Sequence, residues 1–587
     1  MKKTLSLILS LALALSVFAV CVPANAVSST YHFAAFSQNE LITLADGVTL
    51  STMVTADNTY ITAGQRINIL KADLNSDDIS MEMVLHKNAS NTLRNVKAVM
   101  TNDYSTALSS TKRPIAGFNA DWFHKANEDM NANTTVSGYP MPFGCDILDG
   151  EIICSNYSGA EWPYGGAIPP YVLGITYDNK VIVGEPRITP YIKNLTTGVV
   201  AVGDGINRSP VKNSIMVYNN RMNPDYGVNS DAYEVEIQVN ANQNRFYIAG
   251  SKVTGTVTNI YTEGTVSRHA LSNSNIIITC RWDDSNNNYK RTDRDSAVVF
   301  DNITRIKTFN VGDQIEVSTR VSDNLGVNKT TYHDWMNCKS SAGGNFLIMK
   351  NGVAANEAQL AGDTSFYPSN MVGFDADGNL LVASVTKDSG KTAQGQVVSR
   401  QGLKFSEMTK FARDVGFDTC FLLDGGGSTT MITATSATNG TLVDRGNYDD
   451  KTGIRSVFNS FIIFKDVNKT TENRDIDPLK APDFEAEGNI IDMNNDGAVD
   501  VNDSLYLIKN VMNPASYPIK SYDVSGVSDI TINAAGEIIL TDIAGRTANL
   551  GKLDYPAGKH VVQIACDTNG VLTAYYSTGV SKAINFN

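Results

Sequence analysis

Two short runs carry side chains whose types and spacing could do chemistry. The first is Phe421-Leu422-Leu423-Asp424-Gly425-Gly426-Gly427-Ser428-Thr429-Thr430-Met431. An apolar segment ends on a carboxylate and passes straight into three glycines and a set of hydroxyls. Glycine lets the backbone take φ > 0 and approach a ligand closely, so successive N–H groups can form an anion-binding concavity. A carboxylate at its mouth would repel a phosphate unless it acts on the adjacent group, which points to chemistry beside a phosphate or a sugar. The plain alternative is a tight glycine turn capped by Asp424. The second run is Gly117-Phe118-Asn119-Ala120-Asp121-Trp122-Phe123. An extended chain puts Asn119 and Asp121 on one side. One carboxylate here and one at Asp424 would form the pair that glycosidic cleavage needs, one for acid–base work and one to support the cationic transition state. A strand-end Asx turn with aromatic packing is the competing reading of this run.

A third constellation is acidic: Asp492-Met493-Asn494-Asn495-Asp496-Gly497-Ala498-Val499-Asp500-Val501-Asn502-Asp503. Oxygen ligands fall at Asp492, Asn494, Asp496, Asp500 and Asp503, with Gly497 for the sharp bend and the Ala498 carbonyl between. That is the register of a structural Ca²⁺ loop, closing on Asp instead of Glu. The segment from Ser504 to Met512, with Leu505, Leu507, Ile508 and Val511, suits a short helix.

The elements that position these runs are mostly strands. Ser28 to Asp466 is rich in Val, Ile, Thr and Tyr and is punctuated by Asp149-Gly150, Asn351-Gly352 and Asp377-Gly378-Asn379. One helix interrupts it: Leu403, Met408, Phe411, Ala412 and Val415 share a face and Gly416 can end it. That helix feeds the strand before Asp424, so the glycine loop lies at a strand's C-terminal end. The expected fold is α+β: a large β-rich mixed-sheet domain over 27–466, a linker over 467–488, a calcium-loop helical module over 489–516 and a small β-sandwich tail over 519–587.

Residues 1–26 read as a secretory signal, with Lys2-Lys3, an apolar stretch from Leu5 to Val20 and Ala24-Asn25-Ala26 for cleavage. A secreted, extracellular or cell-surface bacterial protein with no membrane span is expected. The 587 residues carry a formal charge of −13, and an acidic chain without Lys/Arg-rich runs argues against nucleic acid. The cysteines are too sparse for a disulfide scaffold, though Cys145 and Cys154 could bridge a hairpin. His124 and His333 are expected to serve packing or surface, not as bases.

The two catalytic-type runs resemble the phosphodiester glycosidase family, that of N-acetylglucosamine-1-phosphodiester alpha-N-acetylglucosaminidase. Gly343-Gly344-Asn345-Phe346-Leu347-Ile348 and Arg455-Ser456-Val457-Phe458-Asn459-Ser460 fit it as well. The resemblance implies a hydrolase that cleaves the sugar C–O bond of a sugar-1-phosphodiester in cell-envelope or polysaccharide material. It implies Asp121, Asp424 and Asn119 as catalytic residues, and Gly425, Gly426, Gly427, Ser428, Thr429 and Arg455 as phosphate or substrate ligands. No catalytic cofactor is implied. Ala120 and Trp122 depart mildly from the family's usual Asn-Gly-Asp-Phe-Phe. A larger departure is Ser369, in Pro368-Ser369-Asn370-Met371, where such proteins commonly carry Arg. Ser does not replace a bidentate phosphate ligand, so the chain takes another substrate, uses Arg455 or Arg400, or is a non-catalytic glycan- or scaffold-binding surface protein. The acidic loop and its helix resemble one dockerin repeat, which implies a cohesin-bearing scaffold partner of the cellulosome kind. A second repeat is not in register at Asp523 to Asp529.

Overall fold

The computed structural model describes residues 36–469, apart from internal stretches of which 124–141, 157–170, 222–231, 283–295 and 388–401 are the longest, and six strands between 527 and 583. The expected leader, His124, Arg400 and the calcium loop lie outside the described residues, as does the side chain of His333.

Two sheets carry the candidate site. The larger has twelve strands, and its core runs through Gln65–Ala72, Leu380–Lys387, Ser369–Asp375, Phe417–Leu422 and Cys338–Lys350 to Asp146–Leu148. The smaller has five, in the order Leu442–Asn447, Thr430–Ala434, Lys112–Asn119, Asn459–Asp466, Ile79–Leu85. Alternation explains how they stack. Along Asn459–Asp466, Phe461 and Ile463 enter a core shared with Leu70, Val372 and Phe421 of the larger sheet. Ile462 and Phe464 turn the other way, against Val96, Val99 and Met100 of a short helix, Val96–Asn102. Both faces of this strand are covered, so it reads as an unbroken apolar run.

The predicted helix spans Phe405–Val415 and covers the far face of the larger sheet. Met408, Phe411, Ala412 and Val415 are buried as their spacing requires. Leu403 falls just before it, in a two-residue strand. Glu407 accepts the Lys404 amide at 2.9 Å, and Gly416, at φ +96°, closes the last turn through Ala412 O and Arg413 O. The predicted turns at Asp149-Gly150 and Asn351-Gly352 hold both residues at positive φ, as a two-residue hairpin demands.

A third sheet of eight strands, including Pro186–Asn194, Ala232–Val239, Asn275–Arg281 and Gln314–Asp323, packs its own apolar face against Cys145, Ile147 and Ile152. The expected mixed pairing is narrow: the strands pair antiparallel, apart from Gly205–Ile206 beside Ser214–Tyr218. The C-terminal strands pair antiparallel in two groups of three, Val527–Ile532, Glu537–Asp542, Thr547–Lys552 and then Val561–Cys566, Leu572–Tyr576, Ser581–Ala583. Among the described residues no helix is long and apolar enough to cross a membrane.

Cys145 and Cys154 are separate buried thiols, which corrects the expected bridge. The strand register pairs Cys154 with Asp146, not with Cys145, and the Cys154 thiol donates to the Gly144 carbonyl at 3.6 Å.

Candidate functional site

The glycine run is the crossing from one sheet to the other. Phe417–Leu422 belongs to the larger sheet and Thr430–Ala434 to the smaller, with a short 3₁₀ turn at Gly426–Ser428 between them. Asp424 stands at the start of this crossing. Asp121 stands just past the end of Lys112–Asn119, and the Asp424 amide donates to the Ala120 carbonyl at 2.9 Å. The two predicted carboxylates therefore leave neighbouring strand ends.

Asn119 ties the crossing together. Its Nδ2 donates to the Asp424 carbonyl at 2.7 Å. Its Oδ1 accepts from Asn370 Nδ2 at 2.8 Å and from the Thr430 amide at 2.9 Å. A fully buried amide with all these bonds made is a clamp on three segments.

Asp121 is buried, and Gly144 and Gly343 grip it. Their amides donate to its Oδ2 at 2.7 Å and 3.3 Å. A Cβ on Gly144 would fall 2.2 Å from the Gly343 Cα, so only two glycines let the backbones close on the carboxylate. The Asp121 amide in turn donates to Asn459 Oδ1 at 2.9 Å. Burial lifts the Asp121 pKa to about 6, against the lowering effects of the Arg208 charge and the Gly144 amide. Arg208 is itself buried and donates to the carbonyls of Ser155, Pro142 and Gly144.

Asp424 keeps some exposure but is closely ringed by protein atoms. That enclosure lifts its pKa to about 7; a hydrogen bond from Ser428 and the Arg455 charge pull it down, while Asp121 pushes it up. Arg455 sits directly over Gly427, where a Cβ would meet its Nη2 at 1.9 Å. Tyr367 covers Gly425, and the nearby Asp424 adds to the burial that holds its phenol protonated. Its ring lies 13° from parallel to Trp122 at 6.4 Å and 27° from parallel to Phe405 at 5.3 Å. Asp121, Asp424, the glycine turn and Arg455 thus come together.

The turn's amides differ from the expected open concavity. Gly426 donates to the Pro368 carbonyl at 2.8 Å, and Ser428 and Thr429 donate to Gly425 and Gly426 at 3.2 Å. Ser369 is buried within its strand. Cationic charge at the crossing therefore comes from a side chain, Arg455, seated on the turn. Among the described residues no group of three or more His, Cys, Asp or Glu gathers to hold a metal.

The sequence alone gives no functional role to Gly144, Asp146, Arg208, Tyr367 or Asn459. Asp146 had a signal: a lone carboxylate inside Cys145-Asp146-Ile147-Leu148, a run otherwise fit for a core. Arg208 had none, because its partners are backbone carbonyls.

The β-rich α+β fold bears a general resemblance to that of phosphodiester-glycosidase-like hydrolases. Residues 253–464, less than half the chain, match the family model described as phosphodiester glycosidase. That stretch holds Gly343, Asp424, the glycine turn, Arg455 and Asn459. Among solved structures, a hypothetical protein from Synechocystis is similar at 15% identity and TM-score 0.49, over 73% of this chain and 64% of that one. A putative exported protein from Burkholderia pseudomallei is similar at 15% identity and TM-score 0.44, over 68% and 74%. The zebrafish N-acetylglucosamine-1-phosphodiester alpha-N-acetylglucosaminidase catalytic domain, auto-inhibited by its pro-peptide, is similar at 10% identity and TM-score 0.30, over 73% and 88%. No curated protein matches the chain.

Proposed function

We propose that this chain is an exported glycosidase-type hydrolase that cleaves the sugar C–O bond of a sugar-1-phosphodiester. The observation that carries the reading is the pairing of Asp121 and Asp424 at adjacent strand ends, each a weaker acid than a free aspartate. Two carboxyls with separated environments suit separated roles. Asp424, neutral up to about pH 7, protonates the departing phosphate oxygen. Asp121, held as an anion by two backbone amides, directs water or attacks the anomeric carbon. Arg455 takes the phosphate charge in place of an arginine at Ser369, with the Ser428 and Thr429 hydroxyls beside it. Asn119 positions both loops. Trp122 and Tyr367 offer the apolar surface a sugar ring requires.

A non-catalytic glycan-binding role is the second reading, favoured by the buried Ser369 and the spent amides of the turn. Purified chain is tested for release of free sugar from a panel of sugar-1-phosphodiesters, beside Asp121→Asn and Asp424→Asn. Turnover abolished in both variants is expected. A folded wild-type protein silent across the panel, with calcium present, sinks the hydrolase reading.

For the loop from Asp492 to Asp503, the all-oxygen donor set suits Ca²⁺ as a structural ion, and a scaffold protein as its partner follows from the same assignment.

A further inference from the structure

Asp146 is a fully buried carboxyl to which the proposed reaction gives no role. Its Oδ2 accepts from Asn459 Nδ2 at 2.6 Å. Its Oδ1 is buried with no hydrogen-bond partner among the described residues. Asn459 brackets the neighbouring Asp121, since its Oδ1 accepts the Asp121 amide at 2.9 Å while its Nδ2 holds Asp146, and the Asp121 and Asp146 carboxyls act directly on each other. Two carboxylates this close do not both ionise in a buried place, so one proton is held between them.

The donors decide where it resides. Asp121 accepts two backbone amides, from Gly144 and Gly343, while Asp146 accepts one side-chain amide. More donors favour the anion at Asp121 and leave the proton on Asp146. Burial, and then Asp121, push Asp146 well above the usual carboxylate range. Among the described residues the titratable and charged groups facing Asp146 are Asp121, Arg208, Cys145 and Cys154. Both thiols are pushed up by burial and stay neutral. Arg208 brings one positive charge, which balances one carboxylate and not two.

We propose that Asp146 is a positioning residue that holds a proton at neutral pH and donates it to Asp121 as a third hydrogen bond, keeping Asp121 the anion of the pair. The role in hydrolysis rests on the reading of Asp121 as base or nucleophile; the place of the proton does not. Asn459 completes the arrangement, since one side chain holds the Asp121 amide and the Asp146 oxygen together.

The proton is found without substrate. Infrared spectra of the full chain in an Asp424→Asn background, at neutral pH, are expected to show the carbonyl stretch of a buried protonated carboxyl. That band is expected to vanish on adding Asp146→Asn and to survive Asp121→Asn. A band lost only with Asp121→Asn, or no band in the Asp424→Asn protein, overturns the proposal. Aspartate-selective ¹³C spectra of the unsubstituted chain give the same answer if a variant does not fold: absence of an aspartate that stays neutral into alkaline pH overturns it.

Where sugar is released, Asp146→Asn keeps a donor to Asp121 and is expected to preserve the acidic limb of kcat/KM. Asp146→Ala removes the donor and moves that limb to about tenfold lower proton concentration. Activity lost with Asp146→Asn as fully as with Asp121→Asn would make Asp146 a proton-transfer group and refute the positioning role. A chain that hydrolyses nothing fails the function proposal alone, because the spectra still locate the proton.

Discussion

Replacing Gly427 by alanine would move the cation of the site while leaving the fold in place. The new Cβ would lie 1.9 Å from Nη2 and 2.1 Å from Cζ of Arg455. Those atoms are the far end of a flexible side chain, so the guanidinium swings off the turn and the backbone stays. The glycine of this turn that uses the left-handed region is Gly426, at φ +59°, so Gly427→Ala meets no backbone penalty of that kind. Its effect on stability is expected to stay within about 0.5 kcal/mol. The chemical effect is larger. A nearby cation typically strengthens a carboxylic acid by ten- to a thousandfold. Asp424 retains some contact with solvent, so the low end applies: without Arg455 it becomes about tenfold weaker, or ~1.4 kcal/mol. Aspartate-selective ¹³C titration reads this directly, as an Asp424 midpoint displaced upward from about 7. In the hydrolysis assay the alkaline limb shifts with it. The kcat/KM maximum falls about ten- to a hundredfold as the phosphate loses a charge-assisted bond. An unmoved midpoint in a variant with unchanged melting would show that Arg455 does not act on Asp424. A large loss of melting temperature would show instead that the turn cannot accept a Cβ.

Three other perturbations bear on the same picture. Asp424 binds its proton more tightly folded, at about 7, than unfolded, at about 3.9. Its ionisation cost is absent below about pH 4, grows up to about pH 7 and is constant above. Asp424→Asn removes that cost, so its stability relative to wild type should rise between those pH values by roughly 1–3 kcal/mol after solvent screening, read by urea unfolding; a pH-independent difference contradicts the assignment. Gly343→Ala places a Cβ 2.3 Å from the Gly144 Cα and 2.9 Å from Asp121 Oδ2. Backbone cannot give as a side chain does, so a loss of about 1–3 kcal/mol or more is expected together with lost turnover; a variant that melts like wild type would show the grip on Asp121 to be looser than described. Calorimetry of the full chain with Ca²⁺ should show one site, abolished by Asp492→Ala with Asp496→Ala; unchanged heats in the double variant refute the loop's assignment.

Legibility in the sequence followed range of interaction. The turns at Asp149-Gly150 and Asn351-Gly352 and the helix ending on Gly416 were readable because their causes are local: positive φ and a repeating apolar face. Asp121 and Asp424 were readable because each ends an apolar strand beside glycine or aromatics. Their meeting was not derivable from spacing, since it depends on strands of two sheets ending side by side. The grip of Gly144 and Gly343 on Asp121 joins residues 144 and 343 across a sheet, and no local pattern announces such an approach. The glycine turn misled in one respect. Three glycines suggested free amides, but the Pro368 carbonyl and the turn's own hydrogen bonds take three amides of the run.

The middle of the five-stranded sheet has a consequence for how the molecule comes into being. Asn459–Asp466, the last strand of that sheet in chain order, lies between Lys112–Asn119 and Ile79–Leu85. Until it arrives, the early strand Ile79–Leu85 has no partner in the sheet, and Asp121 and Asp146 lack the amide that holds them together. A chain emerging from its N-terminus therefore carries Asp121 and Asp146 long before it carries the Asn459 that joins them. Long-range closure of this kind is slow, and here it comes at the end of the domain. Assembly of the Asp121–Asn459–Asp146 arrangement and completion of the sheet are therefore one event.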